Sequence, residues 1–118
     1  MGNENLYHLL IDAAEETVAA PTTEDDGLAL SGTGFYNAQL WFNVESGVTV
    51  SARLWGYKNN VEALTGWYQI GATISSIVGN LETTIVLPLG VTRVAVSLDT
   101  FAGEGAVSVE LLYFRRTA

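Results

Sequence analysis

The chain has one histidine, His8, and no cysteine. A Ser-His-Asp triad would have to be built on His8. That residue sits in the apolar run LYHLLID (6–12), where a structural or solvent-exposed histidine is the plainer reading. A zinc site needs several His or Cys ligands, and thiolate and disulfide chemistry are excluded. The best cation candidate is Glu24-Asp25-Asp26-Gly27, because calcium takes clustered carboxylate oxygens. It lacks the ligand spacing of a calcium loop and reads as an acidic, solvated turn. Glycoside hydrolysis would need paired carboxylates, but most acids here fall in turns, and Glu82 and Glu110 are single acids on outward strand faces. Gly32-Thr33-Gly34 and Gly103-Glu104-Gly105 precede strands rather than helices, so they read as turns and not as phosphate loops. The expectation is no enzyme, no metal and no cofactor.

What remains is recognition chemistry. Residues 35–71 (FYNAQLWFNVESGVTVSARLWGYKNNVEALTGWYQIG) hold all three tryptophans and three of the five tyrosines. They read as strands Phe35–Val44, Val48–Tyr57 and Trp67–Ile74. Successive strand residues point to opposite faces. One face carries Tyr36, Ala38, Leu40, Phe42 and Val44, then Val48, Val50, Ala52 and Leu54, then Tyr68, Ile70, Ala72 and Ile74, and is the expected core side. The other face is polar, yet holds the large rings Phe35, Trp41, Trp55, Tyr57 and Trp67, with Asn37, Gln39 and Arg53 among them.

If Glu45-Ser46-Gly47 closes a three-residue hairpin with Gly47 left-handed, Val44 opposes Val48, Gln39 faces Arg53, Asn37 faces Trp55 and Phe35 faces Tyr57. Phe35, Gln39, Trp41, Arg53, Trp55, Tyr57 and Trp67 would then form a partner or ligand surface, since Trp, Tyr and Arg are enriched where proteins bind. Such a surface suits another protein. It equally suits a sugar, with rings stacking on the pyranose and Asn37, Gln39 and Arg53 bonding hydroxyls. Alternatively a loop or the N-terminal arm folds over it, or the register differs. In a jelly roll these strands lie in different sheets, and only the inside/outside assignment survives.

At 118 residues, with 48% hydrophobic and 15% charged residues, the chain is one domain with a real core. No apolar run approaches the roughly 18 residues that span a bilayer, and the N-terminus lacks the basic region of a signal peptide. Net charge is −8. Residues 1–26 hold seven acids and no Lys or Arg, an acidic arm with a short first strand at Tyr7–Asp12, while residues 27–118 form the sandwich and are close to neutral. So few basic residues make nucleic acid a poor partner. Further strands read at Leu28–Leu30, Leu81–Leu87, Val91–Leu98 and Ala106–Phe114, with turn chemistry at Pro21–Gly27, Pro88–Gly90 and Asp99–Gly105. Val94, Val96 and Leu98 point inward and Arg93, Ala95 and Ser97 outward; Val107, Val109, Leu111 and Tyr113 also point inward. About eight strands and no long helix predict an all-β fold, an antiparallel β-sandwich of jelly-roll type.

The run GWYQIG (66–71) resembles the W-x-x-I/L-G strand of small β-sandwich proteins of tailed-phage virions. VTRVAVSLDTFAGEGAVSVELLYFR (91–115) is similar to their closing pair of alternating strands around a Gly-containing turn. The resemblance covers about residues 40–115 and is a pattern of strands rather than a diagnostic motif. It implies a virion component, a capsid decoration (cement) protein or a fibre or spike module. Such a protein would be a homo-oligomer, a trimer, made in the host cytoplasm and placed on the capsid surface. Its partner would be the major capsid protein or another virion protein, with neither nucleic acid nor membrane involved.

Overall fold

The computed structural model describes residues 4–30, 36–59, 65–88 and 90–115. Eight strands follow in chain order: β1 Glu4–Ala14, β2 Leu28–Ala29, β3 Tyr36–Val44, β4 Thr49–Asn59, β5 Thr65–Ile77, β6 Asn80–Leu87, β7 Val91–Ala102 and β8 Val107–Arg115. One 3-10 turn, Glu24–Asp26, precedes β2, and no α-helix occurs among the described residues.

The antiparallel pairs are nested: β1 with β8, β2 with β7, β3 with β6, β4 with β5. The chain is one long ribbon doubled back on itself, then rolled so that β3 also pairs with β8 and β4 with β7. This yields two four-stranded sheets, β1-β8-β3-β6 and β2-β7-β4-β5, the jelly-roll form of a sandwich.

The alternating pattern explains why the sheets stack. Ala38, Leu40, Phe42 and Val44 of β3 and Val107, Val109 and Leu111 of β8 line the inner face of the first sheet, all buried. Val50, Ala52 and Leu54 of β4, with Val48 just before it, and Val94, Val96 and Leu98 of β7 answer from the second. Both sets meet in one apolar core. The side chains of Tyr36 and Tyr113, also expected inward, lie outside the described residues.

Four expectations change. First, β3 and β4 do not pair: β3 belongs to the first sheet and β4 to the second. Glu45–Val48 does turn tightly, with Gly47 at φ +88° and Val48 N–H donating to Glu45 O (3.1 Å). The strand ends are held elsewhere, however, with Val44 N–H on Gly79 O and Glu45 N–H on Ala106 O. The turn therefore crosses between sheets instead of closing a hairpin. Second, β5 is interrupted. Leu54 pairs with Ile70 but Ala52 with Ile74 and Val50 with Ile77, and Gly71 (φ +73°) and Ser76 (φ +55°) mark the irregularities. Two extra residues between Ile70 and Ile74 leave both on the core side with Ala72 exposed, and one extra residue between Ile74 and Ile77 shifts the alternation so that Ile77 is buried. Third, β1 runs well past Tyr7–Asp12 because β8 is there to pair with it. Its bulges near Leu10 and Ala13 turn it along the sheet edge, making it part of the sandwich. Fourth, β7 continues through Asp99 to Ala102 rather than turning there. Asp99 is itself the bulge residue, since Ala52 opposes Leu98 and Ser51 opposes Thr100.

Candidate functional site

The predicted surface residues divide between two outward faces that look in opposite directions. Gln39 and Trp41 are on β3, in the first sheet. Arg53, Trp55 and Tyr57 are on β4 and Trp67 on β5, in the second. The expected juxtapositions Gln39–Arg53 and Asn37–Trp55 therefore do not exist. Phe35, and with it its pairing to Tyr57, lies outside the described residues.

On the second sheet the rings point away from the core, as alternation requires, and are then engaged by the chain itself. Trp55 Nε1–H donates to Ser97 Oγ (2.9 Å), and Ser97 Oγ–H donates to Asp99 Oδ1 (3.0 Å). Arg53 grips the same carboxylate with two bonds, Nε to Oδ2 at 2.9 Å and Nη2 to Oδ1 at 2.8 Å. Its guanidinium carbon lies 4.5 Å from the centre of the Trp55 ring, a cation–π stack. Arg53 holds the Asp99 carboxyl below the usual carboxylate range, chiefly by these hydrogen bonds, and burial opposes the shift. The network explains why outward-pointing Ser97 is 0% exposed.

Further along this sheet Tyr57 meets Trp67 edge-on at 5.3 Å. Trp67 Nε1–H donates to Thr23 O (2.8 Å), and the ring packs against Gly27. Arg93 reaches Glu24 (3.6 Å) and Gly27 O (3.3 Å). The acidic turn is thus folded over this end of the face. Its Asp26 carboxylate accepts from Thr22 N (2.8 Å), Thr23 N (2.9 Å) and Thr22 Oγ1 (3.2 Å), with its pKa lowered chiefly by the Thr23 backbone bond and next by that from Thr22. The candidate calcium turn is therefore a capped loop. Among the described residues no three His, Cys, Asp or Glu side chains group where they could hold a metal ion.

The first sheet's outer face is different. Backbone register lays out two rows across it: Tyr7–Leu112–Gln39–Thr84 and Leu9–Glu110–Trp41–Glu82. Tyr7 is 55% exposed, Leu9 50%, and Val86, opposite Asn37, 60%. Tyr7 approaches Trp41 edge-on at 6.5 Å, and Trp41 Nε1–H donates to Gln39 Oε1 (3.0 Å). Beside Trp41 lies a hollow of about 200 Å³ bordered by Asn43, Asn80, Glu82 and Glu110. The face is apolar at the β1 side, aromatic at its centre and acidic around the ring. No loop among the described residues hydrogen-bonds over it as Thr23 does over Trp67.

The outward polarity of the rings was readable from period two. Tyr7 and Leu9 were missed as members of the first-sheet face, because only the nested pairing brings β1 within reach of Trp41. The partner of Arg53 was missed because Asp99 reads as turn chemistry until the bulge carries β7 through it.

No protein-family model matches the chain, and no curated protein matches it. Among solved structures it is similar to the infectious bursal disease virus Gx strain, with 11% identity and a TM-score of 0.44 over 97% of this chain. The chain spans 32% of that chain's length. Among the described residues no helix is long and apolar enough to cross a membrane.

Proposed function

We propose that this protein is a non-enzymatic structural component of a virus particle, of the capsid decoration type. It docks through the outer face of the first sheet onto the major capsid protein or another virion protein, and it acts as a homotrimer on the capsid surface after synthesis in the host cytoplasm. Neither nucleic acid nor membrane takes part. The observation that carries the reading is the contrast between the two outward faces. Arg53, Trp55 and Trp67 are bound to groups on other strands and on the acidic turn. Tyr7 and Leu9, by contrast, stand half-exposed near Trp41, in two adjacent rows that also hold Leu112, Gln39 and Glu110, and among the described residues the indole N–H of Trp41 is bound only to Gln39 of its own strand. Further support comes from the resemblance of residues 66–71 and 91–115 to tailed-phage sandwich proteins, and from a jelly roll being a common build for capsid domains. Burial of such a face contributes roughly 25 cal/mol per Å², and repetition over a symmetric shell multiplies a modest contact.

Light scattering coupled to gel filtration tests the reading. A species of three 12.6 kDa chains is expected; a monomer would overturn the trimeric decoration protein. A second reading, a sugar-binding module at a fibre or spike tip, is favoured by one observation: the hollow beside Trp41 has amides and carboxylates around an aromatic ring. Quenching or a shift of tryptophan emission during oligosaccharide titration, abolished in Trp41→Ala, would select it.

A further inference from the structure

The open edge of the sandwich between β1 and β7 holds a groove of about 560 Å³. Leu10, Ile11, Val18, Pro21, Leu28 and Val94 supply much of its apolar lining. Its size falls in the range of ligand-binding clefts. The floor is the edge of β7. At one end Val18 and Leu98 exchange two backbone hydrogen bonds of 3.0 Å each. At the other, β2 pairs Leu28 with Val94, and Leu30 N–H donates to Thr92 O (2.9 Å). Leu98 and Thr92 thus turn their peptide groups to the edge, and β7 is regular between Arg93 and Leu98. Period two then directs the N–H and C=O of Val96 to the same side. No described residue pairs with them there, because Ala19–Gly27 loops out between the two attachments.

Val96 is only 5% exposed. A backbone donor and acceptor left open at the floor of an apolar groove is uncommon, since buried peptide groups are almost always paired. The gap from Leu98 to Val94 is four residues, about 13 Å of strand. That admits one extended peptide unit with its neighbours. Asp26 lines the groove, and the stretch 12–26 that supplies part of its wall also carries Asp12, Glu15, Glu16, Glu24 and Asp25 outside the lining, with no Lys or Arg. The nearby Arg93 is already bound to Glu24 and Gly27 O.

We propose that this groove receives an extended peptide segment of a partner protein. The segment pairs its backbone with Val96, sets one aliphatic side chain among Ile11, Val18 and Leu28, and carries Lys or Arg on its flanks toward the acidic wall. Edge pairing supplies affinity and the groove supplies selection, the usual division in strand addition. The site is separate from the outer face of the first sheet and stands whether or not that face docks on a capsid.

The test is a titration of the ¹⁵N-labelled full chain with the peptide acetyl-Lys-Thr-Val-Thr-Lys-amide, read by amide chemical shift. Saturable shifts are expected at Val96 and at the amides of Val18, Ala19, Ala20 and Thr22. N-methylation of the peptide's valine should weaken binding about tenfold, the scale of losing one hydrogen bond and stranding its partner. Replacing its lysines by glutamates should weaken it severalfold, an effect that shrinks in salt. Ala20→Trp, which fills the groove, should abolish the shifts while the remaining amides keep their positions. No shift at Val96 with millimolar peptide, or equal binding of the N-methylated peptide, overturns the proposal. So do shifts confined to the first sheet's outer face, or Val96 shifts that follow protein concentration without peptide, which would make a second copy the occupant.

Discussion

Gly27 lies against the Trp67 ring so closely that a Cβ built there would touch Cη2 and sit 2.8 Å from Cζ2. Gly27→Ala must displace the indole and strain its bond to Thr23 O. A cost of about 1–3 kcal/mol is expected from forced overpacking, read as a lower Tm together with red-shifted tryptophan emission. An unchanged Tm and spectrum would mean the acidic turn is not seated on Trp67. Asp99 governs the acid limit. Its folded pKa is depressed, first by the Arg53 hydrogen bonds, so the unfolded chain takes up the proton first as pH falls. The contribution is whole above the unfolded Asp value of about 4 and is lost as pH drops through the lower folded value. Asp26, depressed by the Thr23 and Thr22 amides, acts in the same direction. Tm measured from pH 7 to pH 2 should fall most steeply below about pH 4. Asp99→Asn should lower Tm at pH 7 and flatten that fall, and a parallel curve for the variant would contradict the assignment.

At the scale of elements, the strands differ in how many neighbours hold them. β3, β4, β7 and β8 are interior to their sheets and carry the buried aliphatics, whereas β5 and β6 are edges and β2 is two residues long. Phe42 on β3 is 2% exposed, while Ile74 on β5 is only half-buried. Phe42→Ala is expected to cost about 3–5 kcal/mol and Ile74→Ala distinctly less, by denaturant unfolding; equal losses would contradict the packing. This hierarchy also explains what could be read in advance. Period two gave the inner faces of β3, β4, β7 and β8 almost residue by residue, because a strand buried on one side must alternate. On β5 it placed Tyr68, Ile70 and Ile74 against the core but failed at Ala72, because irregularities marked by Gly71 and Ser76 insert residues without any change in composition. It failed at Glu45–Val48 too. A tight turn with Gly47 left-handed looks alike in sequence whether it closes a hairpin or crosses between sheets, and only the competing claims of β6, β7 and β8 decide between them.

For the whole molecule, nested pairing separates into opposite faces the aromatics that the sequence strings together. One face is bound to the chain's own polar groups and its acidic turn, and the other joins Tyr7 and Leu9 of the first strand to Trp41 of the third. The proposed function rests on this asymmetry. The most direct measurement is co-sedimentation with shells assembled from the major capsid protein of the same virus, comparing wild type with Leu9→Lys, Trp41→Ala and Trp55→Ala. The prediction is that wild type pellets with the shells and that Leu9→Lys and Trp41→Ala lose at least tenfold in binding with Tm nearly unchanged. Trp55→Ala, which breaks the Ser97 bond and the Arg53 stack, should lower Tm yet still bind while folded. Failure of wild type to bind, or loss of binding in folded Trp55→Ala with Trp41→Ala intact, would contradict the account.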